Sequence, residues 1–399
     1  MTDVVGWQTS RLGDLVKITS GQSPSQFRFV GNGTPYFKVE QLGRSEKYLT
    51  RELTPYLSQE LPTVPAGSVL FAKRGGAIAL NRIRILSEPA FMDTNVMALT
   101  ASVQLLPEFL YFVLSYVGLG NLADVTSIPQ INNKHIIPFK ILLPPVAEQQ
   151  RIVDSLGDLD QVINSLERLI AKKQAIKQGM MQQLLTGKTR LPGFDTLWVP
   201  TAIGSLGSLL KGRGVKRDDA RSSGVPCIRY GELYTTFHDY TDTTVSFVSD
   251  DVAATALPIG EGDLLFAGSG ETKAEIGTCV AYVGLSAAVA GGDIIVLRAP
   301  KVNAIFLASL LNTPEVAAMK SSFGQGDAVV HINARAIGAL RVNLPEKTEQ
   351  DAIAQVIVDV DQELKALATR LVTVRDIKQG MMQELLTGRT RLTSAEVAA

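Results

Sequence analysis

From Pro144 onward the apolar positions settle into alternating steps of four and three. They fall at Ile152, Leu156, Leu159, Ile163, Leu166 and Ile170, then again at Ile353, Ile357, Val360, Leu364, Leu367, Leu371 and Val374, with Met381 and Leu385 beyond. That spacing is a heptad seam, and it predicts two long helices of about 40 residues, each ~60 Å long, packed on one another. Glu148 and Glu349 stand in the first turns, where a helix favours acid, and Thr348 with Asp351 has capping-box spacing. Lys173, Lys177 and Lys378 interrupt the stripe, so packing is expected to loosen there. Outside these stretches the pattern is short-range. YFKVEQL, SVLFAKRG, CIRYGEL and DLLFAGSG read as strands punctuated by Gly and Pro, and LPEFLYFVLSYV and VNAIFLASLLN read as helices. The fold class this predicts is α+β, with two mixed α/β domains joined by two long antiparallel coiled-coil helices.

The two helical stretches are copies. IKQGMMQQLLTGKTRL (176–191) returns as IKQGMMQELLTGRTRL (377–392), with two mild changes. At an offset of 201 the match extends back without a gap to Ser127/Ala328, through Ile131/Ile332, Asn132/Asn333, Pro144/Pro345, Glu148/Glu349 and Gln149/Gln350. Further upstream the offset is smaller but the likeness persists. Trp7 and Trp198, the only tryptophans, each precede a glycine (Gly13, Gly204) by six residues. Gly33-Thr-Pro-Tyr-Phe-Lys38 answers Gly224-Val-Pro-Cys-Ile-Arg229 at offset 191, and Gly67-Ser-Val-Leu-Phe-Ala72 answers Gly262-Asp-Leu-Leu-Phe-Ala267 at offset 195. The chain is thus a tandem duplication of about 200 residues, a repeated domain rather than a solenoid. Register survives where an insertion would rotate an apolar stripe off its partner, and it drifts in surface loops. The expected divisions are 1–143, 144–191, 192–344 and 345–392, with a tail at 393–399.

Each copy carries a glycine inside its helix, Gly179 and Gly380, at a cost of about 1 kcal/mol relative to alanine. Glycines at both places predict close approach, a bend or a docking surface. Met180, Met181, Leu184, Met381, Met382 and Leu385 are the candidate packing and docking side chains around them.

The composition of the 399-residue chain, 45% hydrophobic and 20% charged, suits a well-cored protein of two or three domains. No run resembles a signal peptide or approaches eighteen apolar residues, which points to a cytoplasmic protein with no membrane role. Cys227 and Cys279 make neither a disulfide framework nor a zinc pattern. Net charge is zero, and residues 1–143 hold 13 Lys+Arg against 10 Asp+Glu while residues 192–344 hold 12 against 15. A nucleic-acid partner would therefore meet a local patch. Lys73, Arg74, Arg82 and Arg84 gather at candidate loops in the first half, and Lys211, Arg213, Lys216, Arg217 and Arg221 in the second. These runs lie in the divergent parts of the copies, and with Lys38, Gln130, Asn132, Lys134, Arg229, Lys273, His331, Asn333 and Arg335 they offer phosphate-directed and base-directed donors.

Evidence for an enzyme is thin. There are three histidines and no His/Cys/Asp cluster, and Gly268-Ser269-Gly270 is too short for a dinucleotide loop. Asp263 with Glu271-Thr-Lys273 mimics a metal-dependent nuclease, the main alternative, but the first copy has Ser68 in place of the aspartate. A coiled-coil scaffold with no DNA role is the other.

Taken together, the order of these pieces, occurring twice, resembles the specificity subunit of type I restriction–modification systems over essentially the whole chain. The resemblance rests on the Trp-x5-Gly starts, the Gly-x-Pro strands, the Leu-Phe-Ala segments, Leu143-Pro-Pro-x-x-Glu-Gln149 and the doubled Lys-Gln-Gly-Met-Met-Gln. The second copy departs from it with Pro345-Glu346 for Pro-Pro. The resemblance implies two target recognition domains, each reading half of a bipartite, non-palindromic site in double-stranded DNA. It implies helices that space those domains and dock two methyltransferase subunits, and a motor–nuclease subunit that joins for cleavage. It implies no cofactor on this chain: S-adenosylmethionine, ATP and Mg²⁺ would sit on the partners, and this chain would catalyse nothing. Two readers related by an approximate two-fold would address half-sites about one helical turn apart.

Overall fold

In the structure, a computed structural model, residues 6–124, 128–326 and 330–392 are described, with the Arg217 side chain left aside. The tail 393–399 and the start of the ungapped repeat at Ser127/Ala328 lie outside them. The chain divides into two compact units, one formed by residues 1–168 with 368–399, the other by 169–367.

In the first unit, five strands lie in the order Val16–Ser20, Val96–Ala101, Val69–Ala72, Ile83–Leu86, Tyr48–Leu49. The second repeats that order with Ser208–Lys211, Ile294–Arg298, Asp263–Ala267, Cys279–Tyr282 and Tyr240–Thr241. In each, a smaller sheet is built on the Gly-x-Pro strand (Thr34–Phe37, Val225–Ile228). A two-stranded ribbon pairs the start of each copy with the strand before its long helix, Gln8 opposite Leu143 and Val199 opposite Leu344. The glycines that mark the repeat hold matching backbone: Gly67 and Gly262 have φ of 76° and 86°, left-handed positions where a side chain would be strained. The short runs expected as strands end sooner than their letters suggest. YFKVEQL leaves the sheet after Phe37 for a 3-10 turn at Val39–Gly43, and CIRYGEL turns into a helix at Glu232–Thr235.

The long helices are Val146–Leu184 and Lys347–Leu386. Both contribute to both units. In the first unit Lys378 pairs with Asp160 and Arg375 with Glu167; in the second Lys173 pairs with Glu363 and Lys177 with Asp361. Residue numbers rise on one helix as they fall on the other, so the pairing is antiparallel in each unit. Packing along the seam loosens toward the helix glycines as expected: residues 171–180 and 361–380 hold no buried side chain, and ion pairs take over there. Lys177 and Lys378 reach carboxylates of the opposite helix at 2.5 Å.

Each helix end closes on the core of the other copy's domain. Met382, Leu385 and Leu386 pack in the first core with Trp7, Phe109 and Ile152, and Met181, Leu184 and Leu185 in the second with Phe306, Ile353 and Ile357. A polar latch seals both. Trp7 Nε1 donates to Glu148 at 3.0 Å, and Arg391 grips the same carboxylate through two nitrogens at 2.7 and 2.8 Å. Its twin joins Trp198, Glu349 and Arg190, with Arg190 bonding both oxygens at 2.6 Å. Burial alone would raise the Glu148 carboxyl, but the Arg391 and Trp7 donors outweigh it and hold it below its ordinary value. Gln149 and Gln350 beside them close the helix starts, donating to Pro144 O and Pro345 O and accepting from Leu106 N and Asn303 N. Asp351 takes its hydrogen bonds from Lys347 and Asn303.

Candidate nucleic-acid interface

Within each unit a few of the residues singled out come together from distant segments. In the first unit the chain leaves the strand Val69–Ala72 through Lys73 and Arg74 and meets the segment before the short helix Asn133–Ile136. Lys73 N donates to Asn95 O, Ile131 N to Lys73 O and Gly75 N to Pro129 O, and Arg74 bridges Gln130. The second unit does the same after Ala267: Gly268 N donates to Asp293 O, Ile332 N to Gly268 O, and Ser269 pairs with His331. A third segment braces each place. Gln130 N donates to the Asp124 carboxylate, and His331 N to Gln325 O.

The side chains there are differently disposed. Arg74 is exposed and Gln130 half-buried, and the Arg74 guanidinium takes no partner among the described residues. Ser269 is buried and its hydroxyl is 2.8 Å from Nδ1 of the exposed His331. Lys73 Nζ donates to Ser20 Oγ at 3.2 Å, and burial lowers its pKa. In the second unit Lys211, Ser269, His331, Asn333 and Asp293 line an open cavity of about 410 Å³. A neighbouring one of about 700 Å³, which shares Asp293, is lined by Lys216, Arg229, Tyr230 and Glu271.

Other candidates are committed to the fold. Arg84 is half-buried, its Nη1 donating to Ile83 O at 2.6 Å, and burial lowers its pKa. Arg229 is ion-paired at 2.7 Å with the buried Glu232, and the Asn333 carbonyl caps its helix by accepting from Ala336 N at 2.9 Å. Lys38 lies over the Tyr56 ring at 3.6 Å, and Arg82 lies against Gly43. Lys134 in the first unit and Arg213, Lys216, Arg221, Lys273 and Arg335 in the second are exposed. Arg217 sits in the turn Arg217–Asp219.

The nuclease-like set does not assemble. Asp263 opens the strand Asp263–Ala267 and is paired with Arg298 at 3.3 Å, whereas Glu271 and Lys273 lie beyond the far end of that strand. Among the described residues no group of three or more His, Cys, Asp or Glu could hold a metal ion. Both cysteines are buried thiols, and burial pushes Cys227 up to about 12.

On the helices, Met181, Leu184, Met382 and Leu385 are buried in the cores, and Met180 and Met381 are half-buried at their edge. Gly179 and Gly380 do not mark a close approach within the chain: a Cβ at either would meet nothing within 4 Å. One turn earlier Ile176 and Ile377 are 56% and 48% exposed. These glycines and isoleucines form an uncovered strip on each helix.

Ser20, Ser269, Asp124 and Gln325 were missed by sequence reasoning. Asp124 and Gln325 lie just upstream of the ungapped match and differ in type, so the repeat did not mark them.

The family model described as Type I restriction modification DNA specificity domain matches residues 4–178. The type I restriction enzyme MjaVIII specificity subunit of Methanocaldococcus jannaschii is 22% identical, over 97% of this chain and 93% of its own. The EcoR124I/EcoR124II specificity subunit of Escherichia coli is 28% identical over 44% of this chain and 45% of its own. Among solved structures, the type I S subunit from M. genitalium has a TM-score of 0.60 at 14% identity, covering 97% of both chains. A chain from a structure on complex assembly and conformational transition of the type I R-M system has a TM-score of 0.61 at 20% identity, covering 96% of this chain and 98% of its own. Among the described residues no helix is long and apolar enough to cross a membrane.

Proposed function

We propose that this member of the type I restriction–modification specificity subunits is the DNA-reading subunit of such a complex, with residues 1–143 and 192–344 as its two target recognition domains. Each domain reads one half of a bipartite site in double-stranded DNA. The site is non-palindromic because the two reading surfaces carry different side chains. One observation supports this above the rest: two domains with the same strand order present different polar groups at the same backbone position, Arg74 with Gln130 and Ser269 with His331. A scaffold with no reading role would have no reason to hold that position and vary its chemistry.

The chain catalyses nothing itself. The helical regions 144–191 and 345–392 space the domains and dock two methyltransferase subunits, for which the exposed strips at Ile176/Gly179 and Ile377/Gly380 are suited. S-adenosylmethionine belongs to those subunits, which take the target adenine out of the stack to reach it. ATP and Mg²⁺ belong to a motor–nuclease subunit. The setting is the cytoplasm.

Methylation-sensitive sequencing of a host genome with and without the gene tests this. One bipartite, adenine-methylated motif should vanish with the gene. An unchanged methylome, in cells shown to express all subunits, refutes the reading.

A further inference from the structure

The chain duplicates its fold but not its reading chemistry, so twin positions can be compared atom by atom. Two features stand out, and they behave in opposite ways.

The first is a positive charge that is kept while its backbone position changes. At offset 191 Ser20 is the twin of Lys211, and at offset 195 Lys73 is the twin of Gly268. In the first unit the lysine directly follows the central strand Val69–Ala72 and its Nζ reaches the Ser20 hydroxyl at 3.2 Å. In the second the lysine stands where Ser20 stood, and glycine takes the central place; Lys211 and Gly268 line one cavity. One ammonium is thus delivered to the same corner from opposite sides. A charge conserved in space but not in sequence suits a ligand feature common to both half-sites, which is the phosphate backbone.

The second is a backbone position that is kept while its side chains change. Arg74–Gln130 and Ser269–His331 are matched by offsets of 195 and 201, and both are bridged across segments far apart in the chain. Arg74 and His331 are the exposed members. Ser269 holds His331 Nδ1, which leaves Nε2 as the ring's remaining hydrogen-bonding atom. Most other polar candidates nearby are spent on the fold: Arg84 on a backbone carbonyl, Arg229 on Glu232 and the Asn333 carbonyl on its helix.

We propose that this bridge is the base-reading position of each domain. Arg74, with Gln130 beside it, contacts a purine edge in one half-site, the guanidinium taking guanine O6 and N7. His331, oriented by Ser269, reads the other half-site. Lys73 and Lys211 hold the flanking phosphate.

The inference rests on the DNA-reading function, and the test separates the two. The complete complex with its methyltransferase subunits is assembled with wild-type chain, with Arg74→Ala and with Lys73→Ala. Each is titrated against duplexes carrying the wild-type motif and every single-base-pair substitution in it. Arg74→Ala should weaken the cognate duplex about ten- to a hundredfold and lose discrimination at one base pair of one half-site, leaving the other half-site untouched. Lys73→Ala should weaken all duplexes alike and flatten the salt dependence. Uniform weakening by Arg74→Ala, no change, or altered reading of both half-sites overturns the assignment while leaving the function intact. A wild-type complex that prefers no bipartite motif overturns the function instead.

Discussion

Two small polar constellations occur twice in this chain, and evolution has treated them differently. The latch Trp7–Glu148–Arg391 returns as Trp198–Glu349–Arg190 with every residue type unchanged. The bridge Arg74–Gln130 returns as Ser269–His331 with its backbone pairing kept and every residue type replaced. The latch carboxylates are desolvated: Glu148 and Glu349 are buried beside the tryptophans, so an apolar replacement would take away the acceptor of each indole N–H. The bridge presents its exposed members to solvent, where substitution disturbs little within the chain. Identity across the copies therefore marks what closes each unit, and difference at a fixed backbone position is what the proposed reading assigns to recognition.

Removing the latch carboxylate should have the largest effect on stability. Glu148→Ala takes the shared carboxylate acceptor away from the Arg391 guanidinium and the Trp7 indole N–H and should cost the first unit about 2–3 kcal/mol. Because the chain has two tryptophans, one in each unit, a Trp198→Phe background isolates Trp7 fluorescence as the reporter. The midpoint of chemical unfolding seen by Trp7 should fall, and in a Trp7→Phe background the Trp198 signal should stay in place. The sign with pH is also fixed. A carboxyl whose folded pKa is depressed adds stability above its unfolded pKa of about 4.3 and loses it as pH falls through the lower folded value. The gap between wild type and Glu148→Gln should thus narrow from pH 7 to pH 3. A gap that stays constant would show that the latch works through packing alone.

Much of the latch was legible before any coordinates. Its glutamates, its arginines and its tryptophans all belong to matched phrases of the repeat. What the letters did not state was the partner, which lies 243 residues away for Arg391 and Glu148. Geometry supplies it: a 39-residue helix, about 58 Å long, separates Glu148 from Arg190 of its own copy, so each arginine must meet the other copy's glutamate. The heptads gave the antiparallel pairing by the same logic. The seam lysines marked the loosening stretch correctly, but their carboxylate partners sit on the other helix, invisible to a single-helix period. The bridge was half legible. Gln130 and His331 lie in the ungapped region, but Arg74 and Ser269 align only at the shifted offset of 195. The exchange of lysine between positions 73 and 211 could not be read, because its two sites follow different offsets and meet only in the folded sheet.

The helix glycines give an intermediate test. Since a Cβ at Gly179 or Gly380 would touch nothing, Gly179→Ala and Gly380→Ala should each stabilise the chain by about 1 kcal/mol, a small rise in thermal midpoint. A fall would mean the helix backbone is held in a form that alanine cannot adopt. The more demanding variant is Gly179→Leu with Gly380→Leu. It should leave both units folded yet, if the proposed docking holds, weaken co-purification with methyltransferase subunits, because the added side chains stand on the uncovered strip. Unimpaired assembly would take the glycines out of the docking surface and leave them as a cost without a counterpart.

The smallest expected change in stability comes from the bridge. Arg74→Ala removes an exposed side chain that has no partner among the described residues, so Trp7-reported unfolding should shift by no more than about 0.5 kcal/mol. That near-zero result is informative only beside the Glu148→Ala loss measured with the same reporter. If the two variants destabilised the unit equally, the bridge would be a second latch, and its side-chain differences would reflect repacking within each domain. If Arg74→Ala is silent in unfolding but relaxes one base pair in binding, stability and specificity occupy separate residues. A family member could then acquire a new target by changing the bridge without reopening the question of how the unit folds.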